Sequence, residues 1–252
     1  MEPAEPSDDT RPPTLGILGG LGPRAHVAFE HCLLERCVTA SDQDYPPWVV
    51  LSYPTIPDRT LALQGRGPSP VPAMSAALQQ LATLADLAVV PCNTAHAFLD
   101  QMELPLPLVH LIGETVACLP AGATVGLLAT SGTLLSEIYP RTGAEQRWLT
   151  LLDLPDGPQL QEQLVMRAIY GPLRAGRRQG GIKGGTTADP QTGRAHADAL
   201  RTAADRLLEA GAEHIIAGCT EIPLVLPRSE TVIDPMWETA GAVLRRLGKQ
   251  VR

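Results

Sequence analysis

Two cysteines, each directly after an apolar run, are the residues of this sequence best suited to chemistry. Cys92 lies in PCNTAH after the run LAVVP, and Cys219 lies in AGCTEIP after the run HIIAG. A helix that begins at such a point favours an anion at its N-terminus, so it lowers the pKa of a thiol there. Polar residues able to cap a helix follow both cysteines: Asn93, Thr94, Thr220 and Glu221.

Two thiols on opposite sides of a substrate carbon can invert that carbon. A thiolate removes the proton from one face while a thiol delivers a proton to the other. Buried cysteines are also common as structural residues, and Cys32, Cys37 and Cys118 fit that interpretation because they lie in apolar helical runs. Cys92 and Cys219 occupy matching places of a repeated pattern, which favours a two-base racemisation or epimerisation.

His96 leaves an alternative open for the first cysteine. It follows Cys92 within one helical turn, so it could act as the base of a Cys/His nucleophile pair. On the same helix, a histidine more often packs or orients a neighbour. We keep both roles for this histidine.

The order of apolar runs around the cysteines predicts an α/β fold. Strands alternate with amphipathic helices, which implies a parallel sheet. The predicted elements of the first half are a strand ending in glycines at 14–20, a helix at 26–37, a buried strand at 48–54, a helix with Met74, Leu78, Leu81 and Leu84 on its apolar face, and a strand at 87–91.

The second half repeats this order of elements. TVGLLATSGT at 124–133 parallels TLGILGGLGP, and Gly126 holds the place in the one segment that Gly16 holds in the other. A predicted helix and the strand HIIAG precede Cys219, just as a predicted helix and strand precede Cys92. Because ligands of open α/β sheets bind beyond the carboxyl ends of the strands, we predict two pseudo-symmetric Rossmann-like lobes, each with a parallel sheet, and an active site in the cleft between them.

The predicted domain division follows from this repeat. The acidic, Pro-rich stretch 1–13 is interpreted as a disordered tail. Residues 14–113, together with about 225–252, form the first lobe, and 114–224 form the second. A chain of 252 residues, 44% of them hydrophobic, is long enough to bury a core without disulfides.

Charge and composition exclude several classes of protein. A net charge of −7 and a pI near 5.4 argue against binding to nucleic acid or to an anionic membrane. No apolar run reaches the roughly 18 residues needed to span a bilayer, and the N-terminus lacks the apolar segment of a signal peptide. Five cysteines without a CxxC pair or a tight cluster predict free thiols in a cytoplasmic protein, with no bound metal.

The loop GGLGPRA at 19–25 supports two interpretations. From Gly20 it fits the G-x-G-x-x-A pattern of dinucleotide-binding loops. However, Pro23 removes one amide, and the next strand ends in SYP without an acidic residue for a ribose. We prefer a cleft wall in which the backbone around Leu21 approaches the substrate, since amides there can bind a small carboxylate. No cofactor is therefore expected.

A carboxylate substrate requires cations near the strand ends. Arg59 in IPDRT either holds a carboxylate with its fork or pairs with Asp58 as a loop residue. Hydroxyls end the first strand of the second lobe, at Thr130, Ser131 and Thr133. Further basic residues cluster in a Gly-rich segment that could form a lid, with most of them expected on solvated surface: Arg174, Arg177, Arg178 and Lys183.

The segments GGLGP, IPDR, PCNTAH, LLATSGT, AGCTE and IDPM, in this order, resemble the aspartate/glutamate racemase family, most closely its aspartate racemases. The resemblance runs from Thr14 to about Leu247, and PCNTAH with a distant GCTE is its specific part. It implies two pseudo-symmetric α/β lobes and a homodimer. It also implies proton transfer at Cα of an acidic amino acid without pyridoxal phosphate or another cofactor.

The resemblance also implies roles for individual residues. Cys92 and Cys219 match the two catalytic cysteines, and Arg59 matches the arginine that binds the side-chain carboxylate. Arg174 lies in LRAG, where the family has VKAG with a lysine that grips the distal carboxylate. Leu21 and Glu221, beside these motifs, are counted with the substrate-binding residues. The positions that hold the α-carboxylate and the amino group match Asn93, Thr94, Thr133 and Thr220.

Two departures affect the predicted pocket. The arginine at 174 is longer and forked, which alters the preferred length of the substrate side chain. Ser52 and Tyr53 replace an Asn-rich turn, and the segment 180–193 is longer than usual, so both can reshape the pocket. We expect aspartate first and glutamate next as the substrate. The alternatives are a related superfamily isomerase or decarboxylase acting on a diacid, and a non-catalytic binding protein for acidic amino acids.

Overall fold

The computed structural model describes residues 11–252, which form two parallel four-stranded sheets and a small hairpin. The predicted tail at 1–13 lies mostly outside this range. Near its end, Nη2 of Arg11 lies 2.7 Å from Oδ1 of Asp86, just before the third strand. None of the described helices has both the length and the apolar composition needed to cross a bilayer.

Both sheets are parallel, as the alternation of strands and helices predicts. The strands are β1 (Leu15–Gly19), β2 (Trp48–Ser52), β3 (Leu87–Val89), β4 (Leu108–Val109), β5 (Thr124–Ala129), β6 (Arg147–Leu149), β7 (Leu173–Arg174), β8 (Arg177–Arg178), β9 (His214–Gly218) and β10 (Val232–Ile233). The first sheet has the order β2, β1, β3, β4, and the second has the order β6, β5, β9, β10. Each strand of one sheet therefore has a counterpart at the same place in the other.

Helices connect these strands and cover the sheets. Their bounds are α1 (Pro23–Arg36), α2 (Arg59–Leu63), α3 (Val71–Ala82), α4 (Leu111–Ala117), α5 (Ser131–Ser136), α6 (Ile138–Thr142), α7 (Gly157–Leu160), α8 (Arg167–Tyr170), α9 (Pro190–Glu209) and α10 (Pro235–Arg246). A π-helical segment joins α7 to α8. Short 3₁₀ helices lie at Asp42–Asp44, Thr94–Gln101, Leu151–Asp153, Thr186–Ala188 and Ile222–Leu224.

Close contact between a central strand and its covering helix explains why each lobe has a glycine at the same place. A Cβ on Gly16 of β1 would lie 2.6 Å from Cγ of Leu81 in α3. A Cβ on Gly126 of β5 would lie 3.1 Å from Cβ of Leu207 in α9. Glycine therefore lets each helix pack directly on its strand. The two glycines mark equivalent positions of the two lobes.

Three apolar clusters form the interior. One lies under α3 in the first lobe, and another lies under α9 in the second. The third is shared by both sheets and by α1, α4 and α10, with Ile17, Leu127 and Val243 among its members. The two lobes are thus joined through a continuous core, which fixes the cleft between their strand ends.

The observed elements differ from the predicted ones in three places. β2 is a half-buried edge strand and not a buried one. Helix α3 ends at Ala82, and Leu84, predicted on its apolar face, is 50% exposed. The stretch 225–252, predicted to return to the first lobe, is divided, because β10 pairs with β9 of the second sheet while α10 packs on α1 and α4.

Candidate active site

The first cysteine turn follows β3. Cys92 is 6% exposed, and the helix after it, Thr94–Gln101, is a 3₁₀ helix. Asn93 occupies the N-cap position without capping, because its Oδ1 accepts a hydrogen bond from the hydroxyl of Tyr139 at 2.5 Å. A tyrosine of the second lobe therefore holds this turn of the first lobe.

The backbone occupies both ring nitrogens of His96. Nε2 accepts a hydrogen bond from the Leu111 N–H at 3.1 Å, which leaves Nδ1 to donate to the carbonyl of Cys92 at 2.9 Å. Burial, together with the neighbouring His110, lowers the pKa of His96 to about 3. The ring is therefore neutral at ordinary pH. This histidine orients the cysteine turn, and it has no free nitrogen with which to act as a base.

The second cysteine turn follows β9 and has an acidic partner. Cys219 is 6% exposed, and its Sγ donates to Oε2 of Glu221 at 3.0 Å. The other carboxylate oxygen, Oε1, accepts from Nζ of Lys183 at 2.8 Å. The hydroxyl of Thr220 also donates to Oε2, at 3.3 Å. Glu221 therefore links the thiol to a lysine instead of capping a helix.

Burial raises the pKa of Cys219 well above its ordinary value, Glu221 raises it further, and Lys183 acts in the opposite direction. The helix that follows this thiol is the short 3₁₀ turn Ile222–Leu224. The expectation that a helix N-terminus lowers its pKa is therefore wrong for Cys219. Burial also opposes the charge of Glu221, but the charge of Lys183 together with hydrogen bonds from Cys219, Lys183 and the backbone lowers the pKa of this carboxyl group, which is ionised.

Arg59 begins α2 and is buried. Its Nη1 donates to the carbonyls of Pro57 at 2.8 Å and Ile56 at 3.2 Å, and its Nη2 donates to the carbonyl of Leu21 at 2.8 Å. Among the described residues it forms no ion pair with Asp58, whose carboxylate instead caps α2. Arg59 therefore ties the IPDR loop to the GGLGP loop in the wall of the cleft.

The GGLGP loop contributes backbone to the cleft. The amide of Gly20 donates to Nδ1 of His26 at 3.3 Å, while the carbonyl of Leu21 is held by the arginine described above. Gly22 has a φ of 134°, and a Cβ there would lie 2.4 Å from Oε1 of Glu221. Only glycine combines this backbone conformation with room for that carboxylate. The loop therefore shapes the space around Glu221.

Five hydroxyls from both lobes form a buried hydrogen-bonded cluster. Thr94 lies 2.8 Å from Thr133 and 3.3 Å from Thr130, measured between Oγ1 atoms. Thr60 lies 3.3 Å from Thr130 and 3.2 Å from the hydroxyl of Tyr170. The structure thus brings together the predicted residues Thr94 and Thr133. Sequence reasoning missed Thr60, although it follows Arg59 directly, and Tyr170, which no motif marks.

A cavity of about 280 Å³ opens between the lobes. Its charged wall residues are Arg24, Arg59, Lys183, Asp58 and Glu221. Among the described residues that line it, neither cysteine is present. The Sγ of Cys219 donates to the wall residue Glu221, and the wall residue Arg59 lies near Cys92. The cavity is therefore bounded by charged neighbours of both thiols.

Arg174 is not brought to this cavity, because it is exposed on the hairpin of β7 and β8. Arg177 and Arg178 of the same hairpin line a second cavity, of about 450 Å³, and Arg178 pairs with Glu162. Lys183, grouped with these arginines on sequence grounds, instead reaches the first cavity, and its location there was missed. Its one sequence signal is that the chain has only one other lysine, Lys249.

A model of the Asp/Glu/Hydantoin racemase family matches residues 18–243. The chain belongs to this family. The family predicted from the motifs is therefore confirmed. The structure of an aspartate racemase from Picrophilus torridus superposes with a TM-score of 0.77 at 24% identity, covering 95% of this chain and 96% of that one. A putative Asp/Glu racemase from Yersinia pestis gives 0.66 at 22%, covering 93% and 99%. These likenesses confirm the two-lobed racemase fold.

Two curated members of the racemase family align with part of the chain. The broad specificity amino-acid racemase RacX of Bacillus subtilis (strain 168) is 29% identical over 136 residues, 50% of this chain and 59% of that protein. A glutamate racemase of Roseiflexus sp. (strain RS-1) is 29% identical over 198 residues, 74% and 65% of the two chains. The chain therefore spans about three fifths of the length of these relatives.

Proposed function

We propose that this protein racemises an acidic amino acid, aspartate or glutamate, by proton transfer at Cα between Cys92 and Cys219, without a cofactor. The observation that carries this proposal is a pair of unpaired donors beside the first cysteine. Nε of Arg59 and Nδ2 of Asn93 are buried without a hydrogen-bond partner among the described residues. Leaving such donors unpaired costs about 1–3 kcal/mol each, so their position favours a ligand that supplies acceptors.

A carboxylate is the acceptor that best suits this wall. Three cations, Arg24, Arg59 and Lys183, and two carboxylates, Asp58 and Glu221, line the cavity. The excess of positive charge favours an anionic substrate over a neutral or basic one. It also supports the side-chain carboxylate expected from the sequence, and we assign to Lys183 the role that was expected of Arg174.

The hydroxyl cluster suits the other end of the substrate. Thr94, Thr130 and Thr133 are at most 7% exposed, and their hydroxyls can each donate to one acceptor. With Asn93 and Thr220, they are the groups that we assign to the α-carboxylate and amino group. Donors fixed around the α-carboxylate stabilise the negative charge that develops when Cα loses its proton. The protein thereby supplies electrostatically what a cofactor supplies elsewhere.

In the proposed reaction, the thiolate of one cysteine takes the Cα proton, and the electron pair of the broken C–H bond moves into the α-carboxylate. The thiol of the other cysteine then gives its proton to the opposite face of Cα. The two strand ends at β3 and β9 place the thiols on opposite lobes, as this chemistry requires. Because both cysteines are buried, binding has to move Arg59 and Glu221 away from the sulfurs.

Solvent isotope exchange tests this function directly. Purified protein incubated with L-aspartate or L-glutamate in D₂O should deuterate Cα and produce the D-enantiomer, which NMR and chiral chromatography measure. If neither amino acid exchanges its Cα proton, the proposed substrate is wrong. A panel of diacids then tests isomerase and decarboxylase chemistry. Tight binding by calorimetry without exchange would identify a binding protein.

Two further proposals concern the protein as a whole. We keep the homodimer and the cytoplasmic location that the sequence and its resemblance predict. Light scattering on the purified chain measures the oligomeric state, and a mass near that of one chain, 26.8 kDa, would contradict the homodimer. Fractionation of cells that express the protein measures the second.

A further inference from the structure

Glu221 is the most enclosed charged side chain of the cavity wall. It is 1% exposed, and its two oxygens are divided between the Cys219 thiol and the Lys183 ammonium, at 3.0 and 2.8 Å. Gly22 leaves the space in which Oε1 lies. A buried carboxylate that accepts from a thiol stabilises the protonated form of that thiol, because a thiolate there would face a like charge.

The first cysteine has the opposite neighbour. The guanidinium of Arg59 lies near Cys92, and the carboxylate next to it in sequence, Asp58, caps α2. Of the two thiols, only that of Cys219 has a carboxylate as its hydrogen-bond partner among the described residues.

We propose that Glu221 is a positioning residue that keeps the resting proton of the site on Cys219, so that in the resting protein Cys219 is the acid and Cys92 is left as the base. This inference rests on the proposed two-cysteine racemisation and assigns its starting state. In the first turnover, the Cα–H bond breaks toward Cys92, and the S–H bond of Cys219 breaks as its proton moves to Cα. Water then returns a proton to Cys219 and removes one from Cys92, which restores the resting form.

Four titratable side chains of the described residues act on the Cys219 sulfur: Glu221, Lys183, Tyr139 and Tyr170. Glu221 raises the pKa of the thiol, and Lys183 opposes it. The hydroxyls of Tyr139 and Tyr170 act on the same sulfur, but burial raises the pKa of both, so they are uncharged. Burial lowers the pKa of Lys183, but Glu221, Tyr170 and the two cysteines together raise it, so Lys183 remains an ammonium.

The decisive measurement is the ionisation midpoint of Cys219, which does not depend on turnover. Ultraviolet absorbance of the thiolate is titrated in the Cys92→Ser protein and in the Cys92→Ser, Cys219→Ser protein, and the difference isolates Cys219. The same pair of titrations is repeated with Glu221→Gln, which keeps the shape but removes the charge. We expect the midpoint to fall by at least about one pH unit, a tenfold change in the ionisation constant.

Glu162→Gln is the matched control, since Glu162 is an ion-paired glutamate of the same lobe that does not contact the site. It should leave the midpoint unchanged. If Glu221→Gln does not fold, Glu221→Asp keeps the charge but withdraws it from the sulfur, and a smaller fall is expected. An unchanged midpoint in a folded Glu221 variant would overturn the inference.

Kinetics on the two enantiomers provides a second test. An enantiomer that needs Cys219 as its base can bind productively only to the protein in which Cys219 is ionised. If a fraction f of the protein has this form, the KM of that enantiomer is raised by a factor of 1/f. Glu221→Gln should therefore bring the KM values of the two enantiomers closer, while a purely structural role would leave their ratio unchanged. If the wild-type protein exchanges no Cα proton, the proposed function fails, whereas the absorbance titration still tests Glu221.

Discussion

The two cysteine turns occupy equivalent strand ends but have different charged neighbours. Cys92 after β3 lies beside the Arg59 guanidinium, and Cys219 after β9 donates to the carboxylate of Glu221. The charged residues around them come from segments that the repeat does not share, the IPDR loop and the Gly-rich stretch that carries Lys183. The repeated fold thus places two thiols at equivalent strand ends, while loops outside the repeat give them different charged neighbours.

Removing either sulfur should have the largest effect. Cys92→Ala and Cys219→Ala should each reduce racemisation by at least about 10²–10⁴-fold, the contribution of a positioned acid or base. Coupled assay of the D-enantiomer measures this loss. Cys118→Ala, which removes an exposed free thiol, is the control and should leave kcat unchanged. Full activity in either active-site variant would exclude the two-base reaction.

Arg59→Met should come next, because it removes the cation beside Cys92 and the link between two loops. We expect kcat/KM to fall by about 10²-fold, comparable to the loss of one buried donor in an active site. Arg59→Lys keeps the charge but cannot reach the carbonyls of both Leu21 and Pro57. Its kcat/KM should therefore lie between those of the wild type and Arg59→Met. Arg66→Met, shortly after α2, is the control. Equal kcat/KM for Arg59→Met and the wild type would show that the charge of Arg59 does not contribute to turnover.

Tyr139→Phe tests how the first turn is held by the second lobe. The change leaves the buried Oδ1 of Asn93 without its donor, which costs about 1–3 kcal/mol of unfolding free energy. Thermal unfolding should shift down by about 2–4 °C for each kcal/mol. The value of kcat should fall by about tenfold, less than the loss expected for the cysteine and Arg59→Met variants. Tyr45→Phe, at a half-buried hydroxyl away from the cleft, should change neither quantity.

The smallest effect on turnover is expected at the helix caps that follow the matching edge strands. His110 caps α4 after β4, and Asp234 caps α10 after β10. Burial raises the pKa of Asp234 to about 6, so the folded state loses stability as pH rises from about 4 to about 6. Asp234→Asn keeps the cap without this cost. It should gain up to about 3 kcal/mol above pH 6 and nothing below about pH 4.

An exposed cap provides the control of opposite sign. Asp189 caps α9, and hydrogen bonds from Thr192 hold its pKa below the ordinary value. Its contribution to stability is therefore present at neutral pH and is lost as pH falls. Denaturant unfolding of Asp234→Asn and Asp189→Asn at several pH values measures both effects. If the stability of Asp234→Asn and of the wild type depends on pH in the same way, Asp234 carries no buried charge.

Much of the fold and part of the site could be predicted from local pattern. The matching places of Gly16 and Gly126 identified two equivalent strands, because each glycine is required where a helix rests on its strand. Thr94 and Thr133 were predicted from their motifs and meet at 2.8 Å. The predicted place of Arg174 differs, because a hairpin holds it at the surface while Lys183 turns inward.

By itself, the sequence determined the alternation of strands and helices, the family and the two cysteine turns, because each depends on residues that are close along the chain. Only the tertiary structure decided which charge meets which sulfur. Arg59 and Cys92 are far apart along the chain, as are Lys183 and Glu221, and no spacing rule links such pairs. Their meeting depends on how loops of both lobes close over a shared core, and the field at each thiol follows from that packing.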